Sequence, residues 1–156
     1  MKAATVKQIK DELNERSPKE LLEYCLRLSK FKKENKELVT YLLFEASDED
    51  SYIQTMKNEM DEQFETVDRR SFYYSKKGIR KILANVKKHI RYSKNKETEV
   101  DLLIHFCQSL KKFSPSIRRS STMMNLYDRQ IEMIKRKIEK LHEDLQYDYG
   151  QALEDL

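Results

Sequence analysis

Two glycines and two prolines in 156 residues leave this chain few ways to turn. Ordinary proteins use about 7 % glycine and 5 % proline, and those residues supply positive φ and break helices. A chain short of both is restricted to long helices joined by brief connections. The predicted fold class is therefore all-α: six or seven helices in antiparallel pairs, as a bundle or a short HEAT-like α-solenoid stack, ending in a long C-terminal helix. The length suits one domain able to bury roughly 70 % of its unfolded surface. Residues 1–112 read as a body of helical hairpins, 113–121 as a linker, and 122–156 as the long helix with its tail.

Charge is distributed in blocks. Met1–Phe44 carries about +3, Glu45–Asp68 −8, Arg69–Lys96 +11 and the remainder −2. The eleven bases of Arg69–Lys96 face no acid within that stretch, while Ile79, Ile82, Leu83, Val86 and Ile90 recur at helical spacing. A basic amphipathic helix thus follows an acidic one whose stripe is Tyr52, Ile53, Met56, Met60, Phe64 and Val67. The simplest expectation is that the two pack side by side and offset each other's charge. Exposed pairs contribute only about 0–1 kcal/mol each, yet they bias which helices become neighbours.

Local signals punctuate the chain. Ser17-Pro18-Lys19-Glu20 joins a capping serine, a proline in the first turn and a glutamate able to reach back to the cap. Leu21, Leu22, Cys25, Leu26 and Leu28 follow on a wide apolar face, with a turn expected at Lys32–Asn35. Leu38, Tyr41, Leu42, Phe44 and Ala46 then form the most apolar segment, expected to be the most buried. Ser47 to Asp50 opens the acidic helix with carboxylates where the helix dipole favours them. Gly78, inside the basic helix, marks either a close helix crossing or the start of the regular helix. Val100, Leu103, Phe106, Cys107 and Leu110 share one face of the next helix. Asn35-Lys36-Glu37 with Leu42-Leu43 recurs 60 residues later as Asn95-Lys96-Glu97 with Leu102-Leu103, which admits two hairpins of related design. After the flexible segment Phe113–Ser121, Met124, Tyr127, Ile131, Ile134, Ile138, Leu141 and Leu145 form a heptad seam on one helix from about Thr122 to Tyr147.

The block from Leu28 through Lys33-Glu34-Asn35 and Tyr41-Leu42-Leu43-Phe44 to Ala46 resembles the N-terminal signature of a small all-helical bacterial family of unknown function. That resemblance implies the all-α fold and brings no activity with it.

Catalytic signatures are missing. There is no Gly-x-Ser-x-Gly elbow, P-loop, dinucleotide fingerprint or His-Glu-x-x-His, and two glycines exclude a phosphate-cradling glycine loop. Glu139 and His142 have the Glu-x-x-His step of di-iron bundles, but the second step that such sites need is absent. His105 and Cys107 fall on different helix faces. No catalytic residue, cofactor or metal is expected. No run is long enough to span a membrane, and two apolar-face cysteines suit a reducing cytoplasm.

The reading is of a non-enzymatic, cytoplasmic helical protein, a protein-interaction or scaffold module with a protein partner. The alternative is a nucleic-acid-binding protein that tracks phosphates with Lys76, Lys77, Arg80, Lys81, Lys87, Lys88 and Arg91, stacking bases on Phe72, Tyr73, Tyr74 or Tyr92. The same basic helix suits an anionic membrane surface less well, with no insertion. The seam Tyr127, Ile131, Ile134, Ile138, Leu141 and Leu145 either packs along the earlier helices or pairs with a copy of itself as a homodimer.

Overall fold

Side-chain caps, rather than glycines, start the helices. The computed structural model describes residues 1–156 and contains no strand. Its eight α-helices are α1 (Val6–Asn14), α2 (Pro18–Phe31), α3 (Lys33–Thr40), α4 (Glu49–Glu65), α5 (Phe72–Ser93), α6 (Lys96–Lys111), α7 (Ser121–Ile138) and α8 (Glu143–Glu154). Thr5, Ser17, Asp48, Ser71, Asn95 and Ser120 each accept a backbone N–H of the turn they precede. Thr5 and Ser17 complete capping boxes with Gln8 and Glu20. The two compact units are Met1–Phe44 and Glu45–Leu156.

In the Glu45–Leu156 unit everything is arranged about α6. Val100, Leu102, Phe106, Cys107 and Leu110 are fully buried, and Leu103 and Ile104 nearly so. These residues cover most of the helix circumference, leaving a polar strip at Asp101, His105 and Gln108, so α6 is packed on several sides. Glu49 accepts from Ser93, Tyr52 Oη meets His89 Nδ1 at 3.0 Å, and Val67 lies against Gly78, so α4 and α5 run antiparallel. Lys57–Asp101 (3.1 Å) and Asp61–His105 (2.7 Å) advance together along both helices, so α4 is parallel to α6. Lys137–Glu99 (3.0 Å) ties the end of α7 to the start of α6, which makes those two antiparallel. Tyr149 donates to Asp101 and Lys111 to the Asp155 carbonyl, which lays α8 along α6.

Gly78 is explained by this packing. A Cβ there would lie 3.3 Å from a Val67 methyl, so the glycine lets the Val67 turn approach α5 closely.

The all-α class is as expected, with one helix more than the predicted range. The additional helix arises because the run expected from Thr122 to Tyr147 is broken after Ile138. Lys135, Arg136 and Lys137 close α7 and Glu143 and Asp144 open α8, each favoured by the local helix dipole. Gln146 Nε2 donates to the Leu141 carbonyl at 2.8 Å, and His142 Nδ1 accepts from Asp144 N–H, which stabilises the break. The Phe113–Ser121 segment is anchored as well. Phe113 and Ile117 are buried, Arg69 stacks 4.5 Å over the Phe113 ring, and the same guanidinium donates to the Ser114 carbonyl at 2.8 Å.

The Met1–Phe44 unit is built differently. Its three helices have 9, 14 and 8 residues, α2 and α3 meet at a single extended residue, Lys32, and one π-helical turn, Tyr41–Glu45, follows α3. Tyr41 is the only buried side chain among residues 1–44. The segment expected to be the most buried of the chain is therefore exposed: Leu42, Leu43 and Phe44 are 59, 67 and 72 % accessible. A unit of this length sits near the limit of about 40 residues below which a chain cannot enclose a core alone. The most buried helix is α6.

Candidate binding surfaces

Three surfaces are assembled by these elements. The first is the uncovered apolar side of the Met1–Phe44 unit. Along α2, Leu22 and Leu26 stand one turn apart, and both are more than half exposed, as are Leu28 and Phe31. Lys19, Glu23, Arg27 and Lys30 flank Leu22 and Leu26 in a shallow groove, mixing both charge signs. On α1, Ile9 and Leu13 line a second depression with Tyr24. Cys25, expected to be buried, is exposed, and Cys107 is not. Burial raises the Cys107 thiol to about 12, so it stays protonated.

The second surface is the outer face of α5. At 100° per residue, Lys76, Lys77, Arg80, Lys81, Lys87, Lys88 and Arg91 fall within roughly 140° of its circumference, opposite the stripe that packs on α6. Lys77, Arg80, Lys81 and Arg91 are exposed and Lys76, Lys87 and Lys88 half-buried. The expected stacking residues are divided. Tyr73 and Tyr74 are exposed at the start of the helix, whereas Phe72 is half-buried and Tyr92 is buried. Two bases that precede the helix are already engaged: Arg69 holds the Phe113 segment, and Arg70 pairs with Asp68 at 2.6 Å, which keeps the Asp68 carboxyl below its usual range. The acidic α4 does neighbour α5, while Lys57 and Asp61 of α4 reach α6 instead.

The third surface is a groove of about 1070 Å³ between α5 and α7. Both helices lie against α6 and barely meet each other, which leaves one side of α6 open. Ile90, Leu103 and Met133 form the apolar part of its lining. Lys87 and Arg91 from α5, with Arg129, Arg136, Lys137 and Lys140 from the α7 side, supply the cations, against Glu99, Asp128 and Glu132. Sequence reasoning placed the functional charge on α5 alone. The α7 bases are interspersed with acids in sequence, and only the helical spacing of Arg129, Arg136 and Lys140 hinted that they share a face.

The heptad seam is spent inside the Glu45–Leu156 unit. Tyr127, Ile134, Ile138 and Leu141 are buried, Ile131 and Leu145 are half-buried, and Tyr127 Oη donates to the Leu156 carbonyl at 2.8 Å. Gln130 is buried on the same helix with its Oε1 unpaired.

The three histidines hold structure together. His89 bonds Tyr52, His105 bonds Asp61, and His142 caps α8. Glu139 and His142 lie on either side of the α7–α8 break, so they do not share a helical turn. No three His, Cys, Asp or Glu side chains are placed to hold a metal ion, and no helix is long and apolar enough to cross a membrane. No family model, curated protein or solved structure matches the chain.

Proposed function

We propose that this chain is a non-enzymatic helical interaction or scaffold module whose N-terminal unit docks onto another protein. The observation that carries this reading is the set of uncovered apolar side chains of Met1–Phe44, all more than half exposed: Leu22 and Leu26 on one face of α2, Leu28 and Phe31 on its other side, and Leu42, Leu43 and Phe44 in the π-helical turn. Exposed apolar side chains one helical turn apart, as Leu22 and Leu26 are, are what helix-mediated recognition uses. The structural employment of all three histidines supports a role other than catalysis. Two cysteines outside any disulfide agree with a reducing, cytoplasmic setting.

Site-specific photo-crosslinking tests the docking. A photoreactive residue at Leu26 or Phe31 is expected to yield a discrete adduct with a partner protein, reproduced with that partner purified and lost on Leu22→Glu. The same products from exposed Gln54 on α4, or none from any position, would contradict the reading.

A second reading, nucleic-acid binding, is favoured by the exposed run Lys77, Arg80, Lys81 and Arg91 on α5. Anisotropy of mixed-sequence RNA and DNA at about 50 and 200 mM salt tests it, because six phosphate contacts predict a loss of about a thousandfold across that range. A flat salt response, or no binding at the lower salt, would remove it.

A further inference from the structure

We propose that the groove between α5 and α7 receives an acidic amphipathic helix of a partner protein. Four helices of the Glu45–Leu156 unit pack on α6; α4 meets α5 and α7 meets α8, and the groove of about 1070 Å³ lies where α5 and α7 diverge. The opening runs along α7 from Asn125 to its end at Ile138, about 20 Å at 1.5 Å per residue, with Lys140 just beyond, which matches a helix of roughly 13 residues. Met133, half-buried, offers the apolar stripe of such a helix its accessible contact, with the buried Ile90 and Leu103 forming the floor beneath it.

Charge selects the sign of the occupant. Lys137 is neutralised by Glu99 at 3.0 Å and Glu132 is drawn to Lys135 at 3.2 Å, which leaves Asp128 as the one unpaired carboxylate of the lining against five cations. Lys87 and Arg91 on one rim and Arg129, Arg136 and Lys140 on the other have no carboxylate within ion-pair distance. Two rows of unpaired cations either side of an apolar strip complement a helix that has carboxylates flanking its apolar face. Met133 gives the apolar stripe a contact, and the rim charges orient the helix and speed its arrival.

Other occupants fit less well. No aromatic side chain lines the groove, so a single-stranded nucleic acid has nothing to stack on, and its phosphates would face the apolar strip. A second copy offers no suitable helix. The helices with uncovered apolar faces, α1, α2 and α3, carry balanced or slightly positive charge, and the acidic α8 is already packed against α6 and α7.

The test uses the full chain and three probes: a fluorescein-labelled 15-residue helix with Leu at the stripe positions and Glu elsewhere, the same peptide with Lys for Glu, and a 20-nucleotide mixed-sequence RNA. Anisotropy is expected to show saturable, micromolar, salt-sensitive binding of the acidic peptide. Arg129→Glu with Arg136→Glu, both exposed positions, should weaken it about tenfold or more with the melting temperature retained. Met133→Asp should weaken it independently, and Gln54→Ala at an exposed position of α4 should leave it unchanged. The proposal is overturned by absence of saturable binding, by indifference to the groove variants, or by equal or tighter binding of the basic peptide or the RNA.

Discussion

Leu102 and Leu103 are 0 and 1 % exposed, whereas Leu42 and Leu43 are 59 and 67 % exposed. Each pair follows an Asn-Lys-Glu by the same interval in sequence. The difference begins at the asparagine. Asn95 caps α6, accepting from the Glu97 and Thr98 N–H groups, while Asn35 lies within α3 and donates to the Leu28 carbonyl. It is completed by surroundings. The later pair enters a helix enclosed by α4, α5, α7 and α8, and the earlier pair enters a π turn in a unit with no central element. Apolar periodicity makes a helix amphipathic, but burial also requires enough neighbouring surface to close over it.

Several experiments would break or sharpen that contrast. The widest separation is expected between the two cysteines. Native-state thiol labelling should modify Cys25 rapidly and reach Cys107 only through global unfolding, because burial holds that thiol up at about 12 and sterically closed. Equal rates would show that α6 is not the enclosed centre. Next, Phe106→Ala should cost about 3–5 kcal/mol in chemical denaturation, as a cavity opens in the core. Phe31→Ala should change stability by no more than about 0.5 kcal/mol, since its ring is already in water.

Caps give a smaller and more local comparison. Ser120→Ala, at α7, should lower global stability by about 1 kcal/mol. The same change at Ser17 should lower helicity of the N-terminal unit and leave the main unfolding transition in place. The smallest effect is a gain: Gln130→Met removes a buried unpaired acceptor and should raise stability by about 1 kcal/mol, read as a higher denaturation midpoint at unchanged slope.

Much of the secondary structure was legible because its signals are local. The Ser17 capping box, Asp48 with its acidic first turn, Ser71 and the apolar stripes of α4 and α5 each act within a few residues. The break after Ile138 was also written locally, as Lys135-Arg136-Lys137 followed by Glu143-Asp144, but an unbroken heptad pattern concealed it. What the sequence did not reveal was which apolar segments find a cover. Leu102 and Ile104 lie off the Val100–Leu103–Phe106 face, and their burial depends on helices distant in sequence. The same is true of the groove cations, since Arg91 and Arg129 come together only through their separate packing on α6.

Hydrogen exchange on the full chain tests the central claim most directly, namely that Met1–Phe44 does not bury its apolar side chains within its own unit. The account predicts that amides of Leu22–Leu28 exchange through local opening, with free energies far below those of Leu102–Leu110, which should exchange only on global unfolding. Comparable protection of both segments would contradict it, because the N-terminal leucines would then already be covered and unavailable to a partner.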